Sequence, residues 1–79
     1  LKLANSLHQN GDYAKAIIEY DKVLELDPVN LKALFNRGSS KGNTGDFEGA
    51  IADYSKAVEL QPDYTKDYYY SASIRYHIK

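Results

Sequence analysis

The sequence predicts an all-α fold built from stacked helical hairpins, five helices in all. Shifted by 34 residues against itself, it has nine identities over the eighteen positions 11–28, among them Gly11 with Gly45 and Pro28 with Pro62. A period of this length is typical of proteins made of stacked repeats. Apolar residues within the repeat recur at spacings of 3, 4 and 7, which indicates helices rather than strands.

The most strongly repeated segment predicts two amphipathic helices. Their apolar faces comprise Tyr13, Ala16, Ile17, Tyr20, Val23 and Leu24 in the first copy, and Phe47, Ala50, Ile51, Tyr54, Ala57 and Val58 in the second. Asp12 and Asp46 precede these helices, where a carboxylate can accept the free amide hydrogens. Pro28 and Pro62 follow them, because the residue before a proline is disfavoured in a helix. Asn10-Gly11 could begin a strand hairpin, but the flanking period near 3.6 predicts a helix-to-helix turn.

Three shorter and more polar segments predict the remaining helices: 1–9, 31–41 and 65–78. Each carries a small residue, Ala4, Gly38 or Ala72, which we expect to face Ala16 or Ala50 where two helices approach closely. We expect a single domain over residues 1–79, divided into repeats at 1–30, 31–64 and 65–79.

Composition excludes several classes of protein. With 79 residues and no cysteine, the chain has no disulfide framework and no thiolate metal site. Its net charge of −1 lacks the basic excess typical of nucleic-acid binding. It has neither an apolar run long enough for a membrane span nor a signal peptide, so we expect a cytoplasmic protein. Because it lacks Met and opens on Leu1, we expect it to be part of a longer chain.

The inventory of reactive side chains predicts no enzyme, cofactor or metal site. His8 and His77 lie far apart, neither has an acidic partner at a helical offset, and we expect both to be ordinary surface residues. Lys41, Gly42 and Gly45 resemble a phosphate-binding loop only superficially, since no strand precedes them.

The repeat resembles the tetratricopeptide repeat over the whole chain. Ala16 and Ala50 match its alanine, Tyr20 and Tyr54 its aromatic residue, Val23 and Ala57 its second small residue, Pro28 and Pro62 its proline, Leu34 and Tyr68 its large opening residue, and Ala4, Gly38 and Ala72 its glycine. The resemblance implies a right-handed superhelix with a truncated first repeat. It also implies a module that binds proteins.

The chain departs from the family pattern in its first helices. Arg37 and Lys41 in the second copy, and Ser71 and Arg75 in the third, replace apolar or aromatic residues that Leu3 and Leu7 preserve in the first. We expect the methylenes of Arg37 and Lys41 to cover apolar surface while their charges stay in water. Gly42 and Gly49 inside helices predict modest stability.

By the same resemblance, the first helices line a concave groove that receives an extended peptide or a partner helix. The implied binding residues are Asn5, His8, Gln9, Lys32, Phe35, Asn36, Ser39, Asn43, Lys66, Tyr69, Tyr70, Ser73 and Tyr76, with Leu1 and His77 beside them. Amides, lysines and aromatic rings suit a polar peptide with an acidic group.

The co-chaperone branch of the family implies a more specific ligand, a chaperone tail ending in Glu-Glu-Val-Asp. Asn5, Asn36 and Lys66 match three of its five carboxylate-binding positions, whereas Leu1 and Tyr70 stand where a lysine and an arginine are needed. The missing guanidinium is the stronger carboxylate ligand. Asn36 also fits repeats that bind no chaperone, and Lys66 fits a solvated surface.

The last segment leaves two further alternatives open. Tyr69, Tyr70 and Tyr76 could form an aromatic shelf for a ligand, or could serve packing and the amphipathic surface. The apolar residues around Ala72 have no sixth helix to cover them, which predicts self-assembly, such as a homodimer, as the alternative to peptide binding.

Overall fold

The computed structural model describes residues 1–62, which form four α-helices and no strand. The helices are α1 (Lys2–Gln9), α2 (Tyr13–Leu26), α3 (Leu31–Asn43) and α4 (Phe47–Leu60). Each helix packs on the next one along the chain, and α1 also contacts α3. The described residues are therefore an all-α repeat. The predicted fifth helix, within 65–79, lies outside them.

The turn within each hairpin is made by a glycine at the same repeat position. Gly11 has φ 86° and Gly45 has φ 92°, the left-handed region in which a Cβ is strained. Both turns join two helices, which confirms the prediction from the period around Asn10 and Gly11.

The second helix of each hairpin ends in the same way. Asp27 has φ −139° and Gln61 has φ −147°, so both leave the helix just before a proline. Helices α2 and α4 consequently end at Leu26 and Leu60, two residues before those prolines, as the sequence predicts.

The two predicted N-caps differ. Asp46 accepts a hydrogen bond from Gly49 N at 3.0 Å, whereas Asp12 makes no side-chain cap bond. The Asp46 carboxylate lies close to the backbone of Gly49, where an added Cβ would be 2.7 Å from Asp46 Cγ. Lys15 stands at the equivalent place in the first copy.

The core confirms the predicted contact of Gly38 with Ala50 and places Ala4 and Ala16 in one buried cluster, whereas Ala72 lies outside the described residues. Buried apolar residues are Ala4, Ala16, Tyr20, Leu24, Ala33, Leu34, Ala50, Tyr54 and Ala57. At Gly38, an added Cβ would lie 3.3 Å from Ala50 O, Asp53 Cβ and Tyr54 Cε1, so α3 and α4 meet there almost backbone to backbone. Over residues 1–62, no helix is long and apolar enough to cross a membrane.

Arg37 and Lys41 correct one expectation, because their charged ends contact carboxylates rather than reaching only water. Arg37 binds Asp53 through Nε at 2.9 Å and Nη2 at 2.7 Å, and it reaches Asp21 through Nη1 at 2.7 Å. Lys41 Nζ lies 3.5 Å from the same Asp53 carboxylate. Asp53 is buried in α4, so the charged ends of Arg37 and Lys41 lie toward the protein interior where they contact it.

Candidate functional site

A groove of about 490 Å³ opens between α1, α3 and α4. Its described lining consists of Asn5, Leu31, Lys32, Phe35, Asn36, Ser39 and Tyr54. Sequence reasoning predicts five of these residues but misses Leu31 and Tyr54. Tyr54 belongs to the second helix of a hairpin, which the family resemblance assigns to packing, yet its ring reaches the groove.

At this groove, two asparagines from neighbouring hairpins meet. Asn36 Nδ2 on α3 donates to Asn5 Oδ1 on α1 at 2.9 Å, and the hydroxyl of Tyr20 on α2 donates to the same oxygen at 2.6 Å. The sequence predicts both asparagines but not the tyrosine. The signal in the sequence is that a buried tyrosine, unlike a phenylalanine, needs a hydrogen-bond partner.

Burial raises the pKa of Tyr20 above its ordinary value. The folded chain therefore holds this proton more tightly than the unfolded chain does. Up to about pH 10 the group is neutral in both states, so the free energy of unfolding depends on it little; above that pH, stability is lost. We expect Tyr20→Phe to show a smaller alkaline loss of stability than the parent in urea titrations between pH 8 and 11. If the free energies of unfolding of Tyr20→Phe and the parent fell equally with pH, Tyr20 would not cause the alkaline loss of stability.

Lys32 supplies the charge of the groove. It is exposed at the start of α3 and makes no ion pair within residues 1–62. Beside it, Phe35 is packed against the core and contacts the Tyr54 ring, with 5.8 Å between centroids. The described lining therefore combines one cation and two amides with aromatic surface, which can hold a polar chain that carries an anionic group.

His8 is not the ordinary surface residue that the sequence predicts. It is half-buried, its Nδ1 lies 2.7 Å from the Oγ of fully buried Ser40, and its ring stands edge-on to Tyr13 at 5.3 Å. The reason is the close packing of α1 on α3, which brings residues 32 positions apart into contact. His8 thus joins the two hairpins and is not among the described lining of the groove.

The remaining predicted binding residues divide into two groups. Gln9 is exposed, and Asn43 donates through Nδ2 to Ser39 O at 2.8 Å within its own helix; neither lines the groove. Lys66, Tyr69, Tyr70, Ser73, Tyr76 and His77 lie outside the described residues, as does the apolar face predicted to self-assemble.

A second depression, of about 600 Å³, lies between α2, α3 and α4. Two cations line it, Arg37 and Lys56, and Arg37 is already bound to Asp21 and Asp53, both of which also line the depression. Across residues 1–62, no group of three or more histidine, cysteine or acidic side chains is arranged to hold a metal ion.

A family model described as tetratricopeptide repeat matches residues 1–65. No curated protein matches the chain. Repeats of the matched kind generally mediate protein–protein interactions and are not enzymes.

Proposed function

This chain belongs to the tetratricopeptide repeat family, and from that premise we propose that it is a non-enzymatic module that binds an extended segment of a partner protein in the groove. The contact between Asn5 and Asn36 carries this proposal. It brings side chains from two repeats together at the surface that a ligand would cross.

The polar groups at this contact suit a peptide. Asn5 Oδ1 accepts two hydrogen bonds, which leaves the two N–H groups of Asn5 Nδ2 for a ligand. Asn36 Oδ1 makes no hydrogen bond within the described residues and can accept one. A donor and an acceptor side by side can pair with the carbonyl and the amide of a peptide backbone.

The positive charge in the groove indicates which kind of partner segment it would bind. Lys32 favours an acidic side chain or a C-terminal carboxylate, and its exposed position gives a modest contribution that salt would weaken. A chaperone tail ending in Glu-Glu-Val-Asp is the narrower form of this proposal. Asn5 and Asn36 support it, whereas Leu1 and Tyr70 supply no cation at two of the five required positions.

The proposal predicts binding that depends on groove residues. Immobilised acidic, basic and neutral peptides, with free or amidated C termini, would be probed with the full chain, and the best binder titrated by calorimetry. We expect acidic peptides to bind best. We expect Asn36→Ala to raise Kd by about tenfold, the effect of losing one hydrogen bond to a charged ligand. We expect Lys32→Ala to raise it by about threefold, because an exposed ion pair contributes less than about 1 kcal/mol.

Lys15→Ala is the matched control, because Lys15 is an exposed lysine of α2 that does not line the groove. Its Kd should equal that of the parent. Binding to none of the peptides, or equal losses in all three variants, would refute a specific peptide site in this groove.

A further inference from the structure

The Tyr20 hydroxyl is the group that connects the core of the first hairpin to the groove. Tyr20 is 0% exposed and projects from α2, yet its hydroxyl lies 2.6 Å from Asn5 Oδ1, and Asn5 lines the groove. Burial of the ring is sufficient for packing and would serve equally well for phenylalanine. The hydroxyl has a separate consequence for Asn5.

The two hydrogen bonds to Asn5 determine which way its amide points. A carbonyl oxygen has two lone pairs, and here Tyr20 and Asn36 each donate to one of them. Asn5 Nδ2 makes no hydrogen bond within residues 1–62, and no fully buried side-chain nitrogen or oxygen there lacks a partner. Nδ2 must therefore reach solvent, and the surface beside Asn5 is the groove.

We infer that Tyr20 is a positioning residue for the groove: it fixes Asn5 with its oxygen inward and its N–H groups toward the ligand, so that this point selects a hydrogen-bond acceptor. The acceptor class is a carboxylate or a carbonyl oxygen. This inference rests on the proposed peptide site. It identifies the group that makes this point of the site a hydrogen-bond donor rather than an acceptor.

Two observations support a permanent role for this hydroxyl. Burial raises the pKa of Tyr20, so its proton, and with it the donor, is retained throughout the physiological range. The arrangement also occurs once among the described residues. One repeat later, Tyr54 follows Ser39 at the same interval at which Tyr20 follows Asn5, so the amide is not repeated there.

Without the hydroxyl, the Asn5 amide has one hydrogen bond in place of two. In Tyr20→Phe, Asn36 Nδ2 alone would hold Asn5 Oδ1, and the amide could turn to present its oxygen to the ligand. A carboxylate would then meet a like partial charge for part of the time. Packing changes little, because the ring is retained.

A double-mutant cycle tests this inference. The probe is acetyl-Glu-Glu-Val-Asp with a free C-terminal carboxylate, titrated into the parent, Tyr20→Phe, Asn5→Ala and the double variant at a pH well below 10. We expect Tyr20→Phe to raise Kd by roughly three- to tenfold, the range for losing one oriented hydrogen bond. In the Asn5→Ala background, we expect the same change to have no further effect.

Tyr13→Phe is the matched control, since it also removes one tyrosine hydroxyl from α2, and that hydroxyl does not bind Asn5. Its Kd should equal that of the parent. Equal affinity in Tyr20→Phe and the parent, or an undiminished effect of Tyr20→Phe in the Asn5→Ala background, would overturn the positioning role.

A readout without peptide separates this inference from the proposed function. If the parent does not bind the probe, the chaperone-tail form of the proposed function fails, and the role of Tyr20 is judged from the free protein. Nuclear Overhauser effects between the Asn5 Nδ2 protons and the ring of residue 20 should then be weak in the parent and in Tyr13→Phe, where Oδ1 faces that ring, and stronger in Tyr20→Phe, where the amide can turn. The same weak effects in Tyr20→Phe as in the parent would overturn the inference.

Discussion

Gly38→Leu is expected to remove most of the stability of this protein. A Cβ at position 38 alone would lie 3.3 Å from the carbonyl oxygen of Ala50, and a leucine adds three more carbons that must force α3 away from α4. We expect a loss of about 3 kcal/mol in the free energy of unfolding, comparable to the whole stability of a domain of this size. Urea and thermal unfolding followed by circular dichroism at 222 nm would measure it.

Two further variants test whether the loss in Gly38→Leu comes from crowding between α3 and α4 or from the change of residue type alone. Gly38→Ala gains about 1 kcal/mol of helix propensity while meeting the tight contacts at 3.3 Å, so its net change should be small. Ser6→Leu introduces the same side chain at an exposed position of α1 and should leave stability nearly unchanged. If Gly38→Leu were as stable as Ser6→Leu, α3 and α4 would not approach each other as closely at position 38 as described above.

The architecture of the described helices could be predicted because local rules repeat along the chain. The glycine turns at Gly11 and Gly45 and the prolines that follow α2 and α4 recur 34 residues apart, so each copy supports the interpretation of the other. The cap at Asp46 shows where that equivalence ends. The capping bond is made to the amide of Gly49, whose counterpart in the first copy is a lysine.

Polar contacts between helices were harder to predict. The pattern places Arg37 and Lys41 on α3 without naming a partner, and Asp53 looks like any polar residue of α4. Their contact depends on how two helices are set beside each other across a turn, which helical periodicity does not specify. Tyr20 and Asn5 meet in the same way across the first hairpin.

The groove was predicted unevenly for a related reason. A resemblance that assigns binding residues to the first helices finds Asn5, Asn36 and Lys32. It cannot find Tyr54, a second-helix residue whose ring is long enough to cross the interface. It also assigns His8 to the ligand, although packing of α1 on α3 directs that ring toward Ser40.

Arg37→Met is expected to be the second severely destabilising change. Asp53 is 4% exposed, and Arg37 supplies both of its short hydrogen bonds, at 2.7 and 2.9 Å. Hydrogen bonding by Asp53 raises the pKa of Arg37 in spite of its burial. The variant leaves a buried carboxylate with Lys41 alone at 3.5 Å, and we expect a loss of about 3 kcal/mol in unfolding experiments.

The matched control is Lys22→Met, which breaks a pair of similar length on the surface. Lys22 Nζ lies 3.0 Å from Glu19, but the lysine side chain is 64% exposed, so the expected loss is below about 1 kcal/mol. The double variant Arg37→Met with Asp53→Leu should recover much of the stability lost in Arg37→Met, since the buried charge is then removed as well. If Arg37→Met cost no more than Lys22→Met, burial of Asp53 would not govern this contact. Arg37 would then be the solvated cation that its place in the repeat pattern predicts.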